Sequence, residues 1–447
     1  MTTAVQINLI NQKEKEDKGG VVKLNKAILP VMTIMLLVIG TYSSLLAQID
    51  PFIAYESVNE NDILPGARAA GMGGAQIAAG LDGSSVRYNP ALLTRIRTTE
   101  VSGTLMHQKF YNETTYRNTF VPESNVTNSR LGSLWGVFPL TTYQGGMTIG
   151  FAINRVKSFD RIFRYESSPH WSEGTQELDG WGGGEDESGS LWAVSFGGAV
   201  EISPQASIGL SLDIFDGNDD WSYFFDSTSV DDDYMFGLRH EISDDISGVT
   251  GKIGISYDID NAMNISGIIG FPTLISVEQE SYYTEYDNAG MDDDDFGTAS
   301  YDYTLPLWFG VGARYRQLDF TITGDITYRD YSQLEYTEGL RDLAEYNFAA
   351  RRAYDDAVAY RIGGEYIIRP ANVRLRAGYY QETIPFKGYD IENQPQYITF
   401  GAGFIIDRAL SLDFAYLRGN WDRADNYLET IEEYRAHRFM MSISYRM

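Results

Sequence analysis

Beyond residue 95 the chain is built of short runs in which apolar and polar residues alternate, and this pattern restricts the fold more than any other feature. Ile208, Leu210, Leu212 and Ile214 alternate with Ser207, Gly209, Ser211 and Asp213. Phe320, Ile322, Ile326 and Tyr328 alternate with Thr321, Thr323, Asp325, Thr327 and Arg329. Val358, Tyr360, Ile362, Tyr366 and Ile368 alternate with Ala359, Arg361, Gly363 and Glu365, and Leu410, Leu412, Phe414 and Tyr416 with Ser411, Asp413 and Ala415. A period of two puts each apolar set on one face of a β-strand. The opposite faces carry charge at Asp213, Asp325, Arg329, Arg361, Glu365, Arg374, Arg376 and Asp413. A large soluble β-sandwich or barrel with its apolar face turned inward is the alternative reading. A barrel that turns its apolar face to lipid and its charges to a wet lumen avoids desolvating those groups. Aromatics at strand ends (Tyr257, Tyr315, Tyr328, Tyr379, Tyr416) suit the girdles of a membrane interface. The last residues also alternate, Phe439, Met441, Ile443, Tyr445 and Met447 against Met440, Ser442, Ser444 and Arg446.

The connections alternate in length. Tight turns are expected at 203–205, 258–261, 316–319, 369–372 and 407–409, and long polar loops around 159–188, 218–246, 277–300, 332–354 and 419–434. Short turns at one end and long loops at the other are the habit of outer-membrane barrels, and the segments from about 98 onward amount to roughly fourteen strands. The fold class expected is therefore all-β, a transmembrane antiparallel β-barrel. A mean hydropathy of -0.27 does not suit a helical membrane bundle but suits a barrel, where alternate residues alone meet lipid. The formal net charge of -27 opposes nucleic-acid partners, which need clustered Lys and Arg. The absence of cysteine excludes disulfides, zinc-thiolate sites and thiol nucleophiles. Ala27 to Ala47 is one apolar run preceded by Lys23 and Lys26 and closed by small residues, which reads as an export signal cleaved after Ala47; an uncleaved anchor is the alternative. The organisation expected is a signal at 1–47, an N-terminal segment at 48–96 and the barrel at 97–447.

Residues 66–96 read GARAAGMGGAQIAAGLDGSSVRYNPALLTRI. The small side chains suit a segment packed closely against backbone. Gly66-Ala67-Arg68-Ala69-Ala70-Gly71-Met72-Gly73-Gly74-Ala75 and Asn89-Pro90-Ala91 resemble the hatch motif of the FadL/TodX family of outer-membrane transporters. Leu305-Pro306-Leu307 with Asp325 to Tyr328, and 373–380 with 398–403, are similar to strand patterns of that family. The resemblance implies a fourteen-stranded barrel with a hatch plug in its lumen, passive uptake of long-chain fatty acids or hydrocarbons, and partners among outer-membrane lipid, lipopolysaccharide and the barrel-assembly machinery. The family commonly ends on an aromatic residue used in assembly; here Met447 is last and Tyr445 precedes it by two. PorV-like barrels of a protein-secretion apparatus carry a similar hatch motif, so a docking or structural barrel is the alternative function.

Other motifs carry less. Gly71-Met72-Gly73-Gly74 is not a phosphate loop, since Gln76 stands where a third glycine should be. Asp231 to Asp233 and Asp292 to Asp295 lack the ligand spacing of a calcium loop and read as solvated charge, with divalent bridging to lipopolysaccharide as the alternative. His107, His170, His240 and His437 form no metalloprotease pair, there is no G-x-S-x-G elbow, and neither an enzyme nor a cofactor is expected. For ligand binding the candidates are Trp221, Tyr223, Phe224, Phe225, Tyr234 and Phe236 as loop aromatics, with Arg374 and Arg376 to capture a carboxylate. For a side opening they are Gly145, Gly146 and Gly150 on the third strand, since glycine marks bulges.

Overall fold

The computed structural model describes residues 63–116, 119–166, 178–229, 235–287, 293–387, 394–407, 409–425 and 430–447. The expected signal, Asp231 to Asp233 and Tyr234 lie outside the described residues. Two short helices, α1 (Ala67–Ala70) and α2 (Ser85–Tyr88), and a 3₁₀ turn (Pro90–Arg95) precede the strands. The strand segments then run β1 (Glu100–Tyr116), β2 (Thr119–Leu140), β3 (Met147–Ser158), β4 (Arg161–Glu166), β5 (Leu178–Glu201), β6 (Ala206–Ser229), β7 (Met235–Asp258), β8 (Met263–Gly270) and β9 (Thr273–Asp287). They continue as β10 (Asp293–Leu305), β11 (Trp308–Gln317), β12 (Phe320–Asp330), β13 (Glu335–Glu338), β14 (Asp356–Ile368), β15 (Val373–Glu382), β16 (Gln396–Ile405), β17 (Leu410–Asp425) and β18 (Thr430–Arg446), with helix α3 (Leu343–Ala353) between β13 and β14.

Every ladder is antiparallel, and β1 pairs with β18, so the sheet closes on itself. Four barrel strands are interrupted once. β3 and β4 both pair with β5 across a break at Phe159-Asp160, and β8 and β9 both pair with β7 across Phe271-Pro272. The neighbouring strand breaks beside them at Pro306-Leu307, where β10 gives way to β11, and β12 passes into β13 through the turn Tyr331–Gln333. Proline has no N–H for a ladder, which is why both chains step aside at Pro272 and Pro306. Counted with these breaks joined, the wall is a closed barrel of fourteen strands.

In the half of the wall nearest the tight turns the faces divide as the alternation requires. Ile322, Ile326, Tyr360, Ile362 and Phe414 point outward and are exposed, whereas Asp325, Arg361 and Asp413 point inward and are buried. An outward face carrying Leu210, Ile255, Ile265, Val311, Phe400 and Ile443 is an apolar belt that lipid covers. The tight turns form where Asn and Asp supply local bonds: Asp260 Oδ1 accepts from Met263 N at 2.7 Å, Asp407 Oδ1 from Leu410 N at 2.6 Å, and Asn372 takes the left-handed conformation at φ 52.

The expected long loops are largely strand. β6 and β7 carry on through most of 218–246, β9 and β10 through most of 277–300, and β17 and β18 through most of 419–434. These ribbons rise beyond the apolar belt, where water meets the outer face and the alternation that reveals a strand is lost.

Candidate functional site

Residues 63–96 lie within the ring of strands, touching its inner face on several sides. Gly73 and Gly74 sit at φ 64 and 72 after α1, a conformation that favours glycine and turns the chain sharply. The wall answers with glycines of its own. A Cβ on Gly378 would collide with Gly73 N, and one on Gly209 with Ala91 N, so backbone approaches backbone with nothing between. Hydrogen bonds fix the contact: Ala67 N donates to Ser442 Oγ at 2.9 Å, Gly73 N to Thr399 Oγ1 at 3.0 Å, and Ile77 N to Asp325 Oδ2 at 2.8 Å. Asn89 Nδ2 donates to Ile77 O at 2.8 Å while its Oδ1 accepts from Ala91 N at 3.1 Å, locking the Asn89-Pro90-Ala91 turn.

Charge does the rest on the β6–β7 side. Asp213 is fully buried between Arg87 at 2.8 Å and Lys252 at 2.6 Å, and Lys252 Nζ also donates to Arg87 O at 3.1 Å. Arg68 lies 3.5 Å from Asp82 and 3.7 Å from Glu365. Burial opposes the Arg68 charge, but Glu365, Asp82 and Asp413 outweigh it and hold the guanidinium above its ordinary range. Burial also pushes the Tyr88 phenol far above its ordinary value. Against β2, β3 and β5 the contact is apolar instead: Val86, Leu93 and Ile96 pack on Trp135, Val137, Ala152 and Ala199.

On the loop side of this segment the lumen holds an apolar cluster. Phe215, Ile246, Val277, Tyr303, Leu305 and Tyr354 belong to one buried cluster contributed by the arc of wall from β3 to β14, with α3 set against it through Ala350. Asn347 of α3 holds β13 through Tyr336 N to Oδ1 at 2.7 Å and Nδ2 to Tyr336 O at 2.9 Å. A cavity of about 80 Å³ lies between the central segment and the wall; Leu64, Tyr88, Trp308, Tyr331 and Ala357 touch it, and so do the charged Arg87, Lys252, Asp325, Arg329, Arg361 and Glu382.

Among the described residues, one ladder of the wall stops early between two consecutive strands. β2 and β3 pair from Leu140↔Met147 to Ser133↔Asn154 and no further, so the rest of β2 pairs with β1 alone. Beyond Asn154 the third strand shifts register against β5 between Arg155 and Lys157 and turns inward. Val156 and Phe159 are buried in the apolar cluster, and Val156 O accepts from Ile63 N at 3.1 Å. What bridges the two edges is polar: Asp160 accepts from Arg130 Nη2 at 2.6 Å and from Asn128 Nδ2 at 2.7 Å.

Several sequence expectations are corrected. Gly145 and Gly146 belong to the tight turn between β2 and β3, where Gly146 O accepts from Glu201 N at 2.8 Å. Gly150 pairs on both sides, with Val137 and Gly197. The break comes instead at Arg155 to Asp160, a stretch with no glycine. Arg376 is fully buried and committed to Glu365 at 2.8 Å and Asp413 at 2.6 Å, so it is not available to a ligand carboxylate; Arg374 lies one inward position nearer the turn end, away from the apolar cluster. Trp221, Tyr223, Phe224 and Phe225 are on β6 and Phe236 on β7, not in loops. Trp221 stacks on Tyr223 at 6.2 Å and meets His240 edge-on at 5.5 Å; Phe225 lies 6.5 Å from Phe236. Phe224 falls on the opposite face of β6 from Trp221 and Phe225, as alternation dictates. The residues that sequence reading missed are the Arg87–Asp213–Lys252 cluster and the tyrosines of the upper lumen.

No family model and no curated protein sequence matches the chain. Solved structures do. The toluene transporter TodX of P. putida superposes with a TM-score of 0.63 at 14% identity, covering 87% of this chain and 99% of its own. A FadL homologue of Pseudomonas aeruginosa gives 0.58 at 13%, covering 87% and 98%. The CymD monoaromatic hydrocarbon channel gives 0.57 at 14%, covering 87% and 99%. The chain shares the barrel fold of these FadL- and TodX-type channels over nearly their whole length.

Proposed function

We propose that the chain carries hydrophobic small molecules passively across the outer membrane of a Gram-negative bacterium. The observation that supports this most is the apolar cluster of the upper lumen, which runs without interruption to Phe159 and Val156 at the break in the wall. A pore for polar solutes has no use for such a lining. An apolar ligand gains roughly 0.8 kcal/mol for each CH₂ removed from water, enough to draw it from the hydrated surface into this chamber. Residues 63–96 act as the hatch, blocking the aqueous route toward the tight-turn end. The ligand leaves sideways through the gap between β2 and β3–β4 into the bilayer. The names of the structural neighbours, which concern toluene, monoaromatic hydrocarbons and FadL, favour long-chain fatty acids or hydrocarbons as cargo. Nothing in the route calls for catalysis or a cofactor, and export through a cleaved signal at 1–47 belongs to the same reading.

The test is uptake of a radiolabelled alkane, arene and fatty acid by cells with and without the protein, with surface-accessible barrel measured in parallel. Faster uptake of at least one probe is expected. Equal rates for every probe would remove the transport reading and favour a secretion-apparatus barrel. Deleting residues 66–96 is expected to open an ion conductance in planar bilayers.

A further inference from the structure

The outer face of the barrel changes character abruptly around its circumference. At the height where the apolar belt ends, β6 and β7 present Asp216, Asp220, Glu241 and Asp245 to the outside, in keeping with a chain of net charge -27. At that height β17, β18 and β1 present cations, and the acids Asp422, Glu433 and Glu113 follow two outward positions higher. Arg418, His437 and Lys109 form one row across these three adjacent strands, Arg418 pairing in register with His437 and His437 with Lys109. All three occupy outward positions of their strands, and Arg418 is exposed. Neither Arg418 nor Lys109 has a carboxylate partner among the described residues; Lys109 Nζ lies over the Tyr111 ring at 4.6 Å. Arg435, on the same face one outward position higher, is already held by Glu113 and Glu123. His437 Nδ1 lies 2.7 Å from Tyr416 Oη, and His107, the next outward residue below Lys109, has its Nδ1 2.7 Å from Ser129 Oγ.

Directly below the row is a groove in the lipid-facing wall, lined by Leu105, Phe400, Phe414, Phe439 and Met441 and closed above by Tyr416 and His107. Leu105, Phe400 and Phe439 are each more than half exposed there. Arg418 stands eight positions beyond Leu410 and Lys109 nine beyond Glu100. At ~3.3 Å per residue and a tilt of roughly 40° this places the row about 20–23 Å above the lower strand ends, at the upper edge of an apolar band ~25 Å tall.

We infer that the row Lys109–His437–Arg418 and the groove beneath it bind a phosphorylated glycolipid of the outer leaflet, the lipid A portion of lipopolysaccharide, with its phosphates on the cations and an acyl chain in the groove. The inference rests on the outer-membrane part of the proposed function and is independent of transport. Charge complementarity carries it: an anionic phosphate meets unpaired Arg and Lys side chains where headgroups lie, and an acyl chain meets aromatic surface where chains lie.

The test uses the full barrel purified in detergent and native mass spectrometry. The probes are bisphosphorylated lipid A and the same lipid stripped of its phosphates. The wild-type barrel is expected to retain bisphosphorylated lipid A, and Lys109→Gln/Arg418→Gln to bind it about tenfold or more weakly, since both unpaired cations of the row are removed. Lys109→Arg/Arg418→Lys keeps both charges and is expected to keep the binding. Unchanged migration of unboiled protein on gels shows that each variant is folded. Equal retention of the two lipids by the wild type, or undiminished retention by the Gln variant, would overturn the inference. Hydrocarbon uptake by the Gln variant is expected to stay at the wild-type level, so a failure of transport and a failure of lipid A binding are read separately.

Discussion

The wall holds the central segment differently on its two sides. Along β6, β7, β12 and β14 every strand is paired on both flanks, and the segment is tied by charge and by hydrogen bonds through Asp213, Lys252 and Asp325. Along β2 and β3 the segment rests on apolar side chains, the ladder stops at Asn154, and one backbone bond from Ile63 N reaches the inturned strand. Apolar contact is non-directional and tolerates sliding, whereas a buried ion pair tolerates neither displacement nor the loss of a partner. The segment is therefore pinned on the first side and only rests against the wall on the second.

The largest effect is expected on the closed side. Asp213→Ala leaves Arg87 and Lys252 buried without a counter-charge and should destabilise the docked segment by about 3–5 kcal/mol. It is checked by denaturant titration in detergent and by ion conductance, which should rise; unchanged values for both would break the contrast. Next comes lipid contact. Ile362→Arg, outward on fully paired β14, should cost about 2–4 kcal/mol, whereas Thr127→Arg, outward on the singly paired half of β2 above the belt, should cost roughly 0–1 kcal/mol. Equal costs would place the two positions at the same depth. The smallest effect on stability belongs to the bridge across the gap. Asp160→Ala removes the acceptor shared by Arg130 and Asn128 and should change stability by less than about 1 kcal/mol while speeding uptake of a labelled hydrocarbon, because the bridge is partly solvated. Slower uptake would show that Asp160 holds the gap open.

Half of the wall was legible in the sequence. Ile322, Tyr360, Leu210 and Phe400 lie in the belt, where one face meets lipid and the other a wet lumen, so periodicity alone reveals both strand and direction. Above the belt the same rule misleads. In β11 the apolar Phe309 and Val311 face out, but beyond Pro306 the apolar Tyr301, Tyr303 and Leu305 of β10 face in. β6 makes the same change between Ile214, exposed outside, and Phe215, buried inside. The strand has left the membrane, so its apolar residues collect in the lumen instead. This inversion hid the apolar cluster of the upper lumen and made ribbons look like loops. Glycine does not mark the break beside β2: Val156 and Phe159 are drawn inward by their own apolar contacts, and no local residue preference signals that. Asp213 and Lys252 could have been paired only with the strand register in hand.

Whether cargo leaves through the gap between β2 and β3–β4 can be read from one crosslinking experiment. The chain has no cysteine, so Asn128→Cys/Asp160→Cys places a single disulfide across the gap, and Phe320→Cys/Tyr366→Cys, on strands already paired at those residues, serves as its control. Uptake of a radiolabelled hydrocarbon is measured in cells after oxidation and again after reduction. Oxidation of the gap pair should abolish most of the uptake, reduction should restore it, and the control pair should transport equally in both states. Undiminished uptake with the gap disulfide fully formed would contradict the lateral route.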